Sequence, residues 1–230
     1  MDCTVQYMKC DTLKNCFGRP KDTVKHGEIL LAATKLFMEK GYELTSMEAV
    51  ARQANVSKLT IYSHFSDKKE LFRAIIQARC DQIGMPSAFT EETQLPAVEA
   101  LRTISRFILS NIYQPDSIRL IRLMHAEAMH RPEIAQIYSD VGPMRIQAAF
   151  ADLLRAFTLQ GKLEVHDPIS ASSQFFSLLK GEMLQRVLLL HLPLPSREEI
   201  EAHIEATIHC FLATYRPGNI PLSTTKTETL

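Results

Sequence analysis

Apolar residues recur every three or four positions along nearly the whole chain of 230 residues, which is the spacing of one face of an α-helix. Glycine and proline residues separate these stretches and end the helices that they follow. Strand-like alternation is confined to a short stretch at 162–166. The pattern therefore predicts an all-α fold. After a first helix that ends at Lys40, the predicted helices lie near 46–54, 57–65, 67–83, 95–113, 116–130, 132–141, 143–160, 168–191 and 196–215.

The same pattern divides the chain into four parts. We expect a flexible basic arm at 1–20, a small head at 21–70, a larger helical body at 71–217 and a disordered tail at 218–230. The two terminal parts are polar and carry no helical apolar stripe. The body alone is long enough to form its own hydrophobic core.

The composition is that of a globular protein, with 46% apolar residues and a formal net charge of zero. Residues 1–70 hold eleven basic and nine acidic side chains, so the arm and head together are near +2 and the remainder is near −2. This slight asymmetry permits nucleic-acid binding without indicating it. No apolar run reaches the roughly 18 residues of a membrane span, and 1–20 has no signal-peptide core, so we expect a cytoplasmic protein without a membrane partner.

The sequence lacks the common signatures of metal and catalytic sites. We find no serine-hydrolase elbow, phosphate-binding loop or dinucleotide-binding loop, and we expect no catalysis and no cofactor. The cysteines lack the paired spacing of zinc sites, so we expect no metal and reduced, unreactive thiols. A redox sensor in the arm is the alternative. The five cysteines are Cys3, Cys10, Cys16, Cys80 and Cys210.

A helix-turn-helix is the most informative motif of the chain. Its first short helix has Thr45 or Ser46 as a candidate cap. Asn55, in the turn, tolerates the left-handed backbone conformation that a tight turn requires. The second helix begins at Ser57, and we expect Ser66 to cap the helix that follows it.

The outward face of the second helix is polar, which suits the major groove of DNA. Lys58 is expected to reach a guanine or a phosphate, and Leu59 and the Thr60 methyl group to contact a thymine methyl. Tyr62 and His64 are expected to donate hydrogen bonds to phosphates. The alternative is a solvated helix surface with no ligand. Further candidate DNA contacts are Thr45 and Ser57 at helix N-termini, Ser63, and Lys68 at the start of the fourth helix.

Short motifs follow one another at fixed separations in the first third of the chain. They are Gly-Arg-Pro at 18–20, Ala-Thr-Lys-Leu-Phe at 33–37 with Gly-Tyr at 41–42, Thr-Ser-Met-Glu-Ala-Val-Ala at 45–51, Ala-Asn-Val-Ser-Lys at 54–58, Thr-Ile-Tyr-Ser-His-Phe at 60–65 and Lys-Lys-Glu-Leu-Phe at 68–72. In this order they resemble the tetracycline-repressor (TetR) family over residues 18–72. The chain differs where Asn55 replaces a common glycine and where Leu59 replaces a common small residue.

The resemblance implies a transcriptional regulator that binds a double-stranded, pseudo-palindromic DNA operator as a homodimer. Arg19, in the arm, is expected to follow the minor groove, and a solvated tail without a DNA contact is the alternative. The dimer is expected to form through the last two long helices, which are apolar on several sides. The apolar residues of these helices are Phe175, Phe176, Leu178, Leu179, Met183, Leu184 and 187–190, followed by Ile200, Ile204, Ile208, Phe211 and Leu212.

The resemblance also implies a cavity for a small lipophilic effector among the helices at 95–160, with ligand binding expected to release a repressor from its operator. The segment 125–135 is similar to regulators of multidrug efflux operons, which suggests such an operon as the target. An activator, or a repressor without an effector, is the alternative. Candidate lining residues are Phe107, Ile108, Ile112, Leu120, Leu123, Met124, Ile137, Met144, Phe150 and Phe157.

A helical-bundle metal protein is a competing interpretation from another class. Glu127 and His130 have the spacing of half a ferritin-like site, and Glu199 and His203 are four residues apart on one predicted helix. A di-metal bundle needs a second Glu-x-x-His motif, and the predicted body has only one.

Overall fold

The computed structural model describes residues 23–83, 89, 92–190 and 192–218, and the regular elements of these ranges are all helical. The predicted all-α class is confirmed. The arm with Arg19 and the first three cysteines, and the tail from residue 219, lie outside the described residues. In the described ranges the α-helices are α1 (Thr23–Lys40), α2 (Met47–Gln53), α3 (Lys58–His64), α4 (Lys68–Ile83), α5 (Ala97–Ile112), α6 (Pro115–Ala128), α7 (Pro132–Val141), α8 (Pro143–Leu159), α9 (Pro168–Leu190) and α10 (Arg197–Tyr215).

Capping residues determine where the first helices begin and end. Ser46, and not Thr45, caps α2, because its side chain accepts a hydrogen bond from the Ala49 amide at 3.1 Å. Gly41, just after α1, has φ +82°, the left-handed conformation that ends helices and that glycine adopts without a steric penalty.

Asp67, and not Ser66, caps α4. The Asp67 carboxylate accepts a hydrogen bond from the Glu70 amide at 2.7 Å. The Ser66 hydroxyl instead donates to the Glu70 carboxylate at 2.6 Å, as does the Ser66 amide. The predicted cap was therefore wrong by one residue, because an aspartate next to the serine takes the capping position.

The core of the head continues into the body. Buried residues of α1 to α4, such as Phe37, Ile61 and Phe72, form one apolar cluster with Met124 of α6 and Ile134 of α7. The helix α4 also crosses residue 70, the predicted limit of the head. The helices α6 and α7 therefore pack directly against the core formed by α1 and α4.

A second apolar cluster fills the body between α5, α6, α8, α9 and α10. Leu163 and Val165 are buried in it, and the Glu164 amide donates to the Tyr215 carbonyl at 2.8 Å. The segment 162–166 has no regular secondary structure, so the short strand that the sequence pattern allowed there is not formed. Within the described residues, no helix is both long and apolar enough to cross a bilayer.

The helix α9 is interrupted at Gly181, whereas the sequence predicted a continuous helix at 168–191. Gly181 has φ +45° and ψ −163°, outside the helical region. His203 of α10 fills the break: its Nε2 lies 2.9 Å from the Leu179 carbonyl oxygen. Since a carbonyl only accepts, that nitrogen carries the proton. At the far end of α9, the Arg122 guanidinium of α6 donates to the Val187 carbonyl at 2.6 Å.

Candidate nucleic-acid interface and ligand cavity

The turn between α2 and α3 has the geometry that the sequence predicted. Asn55 has φ +52°, and among the described residues it is the one non-glycine residue with a positive φ. The Val56 amide donates to the Ala51 carbonyl at 2.9 Å, which closes the turn. Ser57 then accepts a hydrogen bond from the Thr60 amide at 3.0 Å and so caps α3. The turn and the cap together fix the direction of α3 relative to α2.

One side of α3 anchors it in the head, and the other is open to solvent. Ile61 is buried, with Phe65 just beyond the helix end. Opposite them, Lys58, Tyr62 and Ser63 are exposed. Leu59 is also exposed, with 82% of its surface open to solvent. A leucine exposed to that extent contributes almost no hydrophobic stabilisation to the fold of its own chain.

Lys58 forms an ion pair that the sequence analysis missed. Its ammonium lies 2.6 Å from a carboxylate oxygen of Glu48 on α2. The hydrogen bond between them raises the pKa of Lys58 and lowers the pKa of Glu48. Both side chains are exposed, so water and salt screen the pair and it exchanges readily for another anion. The ten-residue separation gave no helical-spacing signal for this pair.

Two predicted DNA contacts are wrong because the residues are buried. His64 is 5% exposed, and its ring lies 5.7 Å from that of His26 of α1. It follows Ile61 by three positions, on the inward side of a helix with fewer than two full turns. Thr45 is 1% exposed, and its hydroxyl donates to the Gly41 carbonyl at 2.8 Å. These two side chains stabilise the head instead of facing a ligand.

Lys68 binds the backbone of the head rather than projecting freely. Its ammonium donates to the Tyr42 carbonyl at 2.9 Å and to the Glu43 carbonyl at 3.2 Å. It also lies 4.4 Å from the centre of the Tyr42 ring. Partial burial lowers the pKa of Lys68. This side chain therefore holds the loop between α1 and α2 against the start of α4.

A network of charges connects that loop to the body. The buried Glu127 carboxylate of α6 accepts from the Tyr42 amide at 3.1 Å and from Arg131 at 3.1 Å. Arg131, at the junction of α6 and α7, also pairs with Glu43. Gly41 packs against the same carboxylate, since a Cβ there would lie 3.5 Å from its oxygen. We call these residues the junction network.

A cavity of about 360 Å³ lies in the body between α4 and α9 and is bordered by α5, α6, α7 and α8. Three of the predicted lining residues border it: Ile108, Ile112 and Leu120. The other seven candidates do not border this cavity. Leu123, Met124 and Ile137 belong to the apolar cluster of the head, whereas Phe107, Phe150 and Phe157 belong to that of the body, and Met144 is 52% exposed.

The sequence analysis missed the cavity residues of α4 and α9. Arg79 and Cys80 of α4 and Phe176, Lys180 and Leu184 of α9 border the space. They are about 100 residues apart along the chain, so local periodicity gave no sign that they meet. Burial raises the pKa of the Cys80 thiol, which makes it a weaker nucleophile.

The residues of the competing metal interpretation have other partners. Glu127 belongs to the junction network. Glu199 accepts a hydrogen bond from the Ser196 amide at 2.7 Å in a capping box at the start of α10. His203 fills the break in α9. In the described part of the chain, no three histidine, cysteine or acidic residues are grouped as a metal site requires.

Comparison with known proteins agrees with this division into a helix-turn-helix and a cavity-bearing body. The family model "Bacterial regulatory proteins, tetR family" matches residues 29–75. The model "AefR-like transcriptional repressor, C-terminal domain" matches residues 99–217, about half of the chain. The two matches cover the region of α3 and the region of the cavity, respectively.

Individual relatives show how far the similarity extends. The transcriptional activator FasR of Mycolicibacterium smegmatis is 39% identical over 64 residues, which are 28% of this chain and only 29% of FasR. The regulator YhgD of Bacillus subtilis is 30% identical, over 63% of this chain and 69% of YhgD. The solved structure of the flavonoid-responsive regulator FrrA is 31% identical with a TM-score of 0.72, covering 86% of this chain and all of that one.

The exposed, capped second helix of a helix-turn-helix on a helical body defines a DNA-binding transcriptional regulator. The matched family models and relatives make the assignment more specific: the chain belongs to the TetR family of helix-turn-helix regulators.

Proposed function

We propose that the protein is a homodimeric repressor that binds a pseudo-palindromic operator and leaves it when a small lipophilic effector enters the cavity. The observation that carries the proposal is α4, which supplies Phe72 to the core of the head and Arg79 to the wall of the cavity. This one helix therefore connects the core of the DNA-binding head to the wall of the proposed effector cavity. The match to an AefR-like repressor domain and the flavonoid response in the name of FrrA support this reading.

The DNA contacts are proposed for the exposed side of α3. Lys58, Leu59 and Thr60 are the candidates for base readout, because they stand at the start of the helix that enters the groove. Ser57, Tyr62 and Ser63 are the candidates for phosphate contacts. Lys68 is proposed to support DNA binding indirectly, because its ammonium holds the loop between α1 and α2 in place. Arg19, outside the described residues, remains a prediction for the minor groove.

The dimer is proposed to use the exposed side of α9 and the segment after it. Leu178, Leu189, Leu190, Leu192 and Leu194 are exposed there, which is costly in water without a partner. The stripe from Ile204 to Phe211 in α10 does not contribute as expected, because the body of the same chain buries it. A two-fold dimer favours half-sites separated by about one or more helical turns of DNA.

Release is proposed to act through the relative position of head and body. A ligand that favours a body conformation with displaced α4 and α6 strains the junction network at Glu127 and moves the α3 helices of the dimer apart. Differential binding of about 3 kcal/mol is sufficient to change operator occupancy roughly a hundredfold. Control of a multidrug efflux operon remains a prediction from the sequence resemblance alone.

Selection of DNA from a random pool tests this function. We expect an enriched site with two-fold symmetry, protein-dependent repression of a promoter carrying it, and relief of repression by some members of a panel of lipophilic compounds. Protein-dependent stimulation would favour the alternative of an activator, which is the class named for FasR. Operator affinity that no compound changes would favour a repressor without an effector.

A further inference from the structure

The polar residues of the cavity are unbalanced in charge. Most of its wall is apolar, as expected of a small-molecule site. Among the described residues that border it, the basic ones are Arg79, Lys180 and, at the exposed rim, His125, and none is an aspartate or a glutamate. A charged side chain in an apolar site needs a partner. The described residues around this cavity supply basic side chains but no carboxylate to pair with them.

Lys180 is the more informative of the two strong cations. It lies one residue before the break at Gly181, so the helix delivers its side chain to the cavity wall. Its ammonium lies 6.0 Å from the centre of the Phe176 ring, which also borders the cavity. In the described part of the chain, no carboxylate is within ion-pair distance of it. Burial lowers the pKa of Lys180, which shows that the fold penalises its charge.

Arg79 supplies a second positive group to the same space. Its guanidinium donates one long hydrogen bond, 3.4 Å, to the Ser117 hydroxyl at the start of α6. The described residues give it no acidic partner either. A guanidinium remains charged at any physiological pH, so the cavity keeps a positive potential whatever the protonation state of Lys180.

We propose that the effector is an amphipathic organic anion, whose anionic group pairs with Lys180 and whose apolar part lies against Ile108, Ile112, Leu184 and Leu188. The four apolar residues border the same cavity as the lysine. The inference rests on the proposed function, because it takes the occupant of the cavity to be the effector. A neutral molecule of the same shape should bind more weakly, since it leaves the partly buried Lys180 ammonium without a partner.

A pair of fluorescent probes that differ in charge tests this inference on the full-length protein. Anilinonaphthalene sulfonate is an anion, and N-phenylnaphthylamine has the same ring skeleton without the sulfonate. We expect the wild-type protein to prefer the sulfonate. Replacing Lys180→Met should weaken the sulfonate about tenfold or more, the loss expected for one charge-assisted hydrogen bond. The neutral probe should keep its affinity, because methionine preserves the length of the apolar stem.

Two further variants separate the effect of the positive charge at Lys180 from the effect of removing a lysine charge elsewhere on the protein. Lys180→Arg should retain the preference for the sulfonate, because the charge is kept. Lys35→Met removes the same charge from an exposed position on α1 and should change neither affinity. Retained binding of the neutral probe by Lys180→Met would show that the cavity is intact. Equal binding of both probes by wild type, with no effect of Lys180→Met, would overturn the inference.

Operator binding distinguishes failure of this inference from failure of the proposed function. If the sulfonate binds in a Lys180-dependent way, the anion site is supported, whether or not operator affinity changes. Unchanged operator affinity in that case would count against release by an effector. If sulfonate binding did not depend on Lys180 and the neutral probe released the operator, release by an effector would be supported and the anion site overturned.

Discussion

At the scale of single residues, burial separates two side chains that the sequence grouped with the DNA contacts. Thr45 and Lys58 are both hydrogen-bonding residues near helix starts in the same motif. Thr45 is enclosed and bonded to the Gly41 carbonyl, whereas Lys58 is exposed and paired with Glu48. Their roles therefore differ: one holds the head together, and the other is available to DNA.

Replacing Thr45→Val should destabilise the protein without abolishing its recognition of DNA. Valine preserves the shape of the side chain but leaves the Gly41 carbonyl without its hydroxyl partner. We expect a loss of about 1–2 kcal/mol in the free energy of unfolding, measured in urea. Operator affinity should stay near the wild-type value at temperatures where the variant is folded. A large loss of affinity with unchanged stability would instead make Thr45 a direct contact.

Replacing Glu48→Gln should strengthen DNA binding. The change releases Lys58 from its partner and removes a negative charge beside the helix that is proposed to contact the phosphates. We expect affinity to rise several-fold at low salt and the gain to shrink at high salt, because screening reduces both effects. Glu198→Gln, an exposed carboxylate of α10, is the matched control and should have no effect. An equal change in both variants would assign the gain to net charge alone.

At the scale of secondary structure, the turn between α2 and α3 depends on one backbone conformation. Asn55 is left-handed at φ +52°. We expect Asn55→Ala to cost about 1–2 kcal/mol of stability, because a β-carbon is disfavoured in that region, whereas Asn55→Gly should be neutral or stabilising. Urea unfolding of the three proteins measures the difference. Equal stability of the alanine and glycine variants would contradict the conformation described for the turn.

Local signals account for most of the helices, but they did not predict the break in α9. Four helices, α6, α7, α8 and α9, begin at prolines, and a serine caps α10. These residues made the helix starts predictable from the sequence. The break at Gly181 was not predicted, because a glycine between strong helix formers usually remains helical. His203 of the next helix fills this break, and its hydrogen bond to the Leu179 carbonyl is visible only in three dimensions.

The candidate sites differ in the same way. The exposed side of α3 was predictable because all its residues lie within one segment of seven consecutive residues. His64 was misplaced because it lies three positions after the buried Ile61, on the inward side of α3, where its ring faces His26. The cavity was predictable only in part, since Arg79 and Lys180 meet through tertiary packing of distant helices.

At the scale of the whole molecule, the junction network joins the body to the head in addition to α4. Glu127 is buried, and it joins the Tyr42 amide of the head to Arg131 of the body. The apolar contacts of Met124 and Ile134 with the head core surround this connection. The structure therefore couples the two parts at one charged and one apolar contact region.

Replacing Glu127→Ala should weaken this coupling as well as stability. We expect a loss of about 2–4 kcal/mol in the free energy of unfolding, because Arg131 and the Tyr42 amide lose a buried partner. In the folded variant, operator affinity should respond less to an effector than in wild type. Glu133→Ala, which removes a carboxylate from the more exposed start of α7, is the control. A stable variant with a full effector response would contradict the role of the network.

The central claim is that the exposed side of α3 meets DNA, and quantitative binding to the selected operator and to its single-base variants tests it most directly. Tyr62→Phe should weaken binding to all sequences, whereas Lys58→Met and Thr60→Val should change the preferred bases, each by about 1–3 kcal/mol. Ser110→Ala, at an exposed position of α5, should bind as wild type does. Wild-type affinity and unchanged base preference in all three α3 variants would contradict the account.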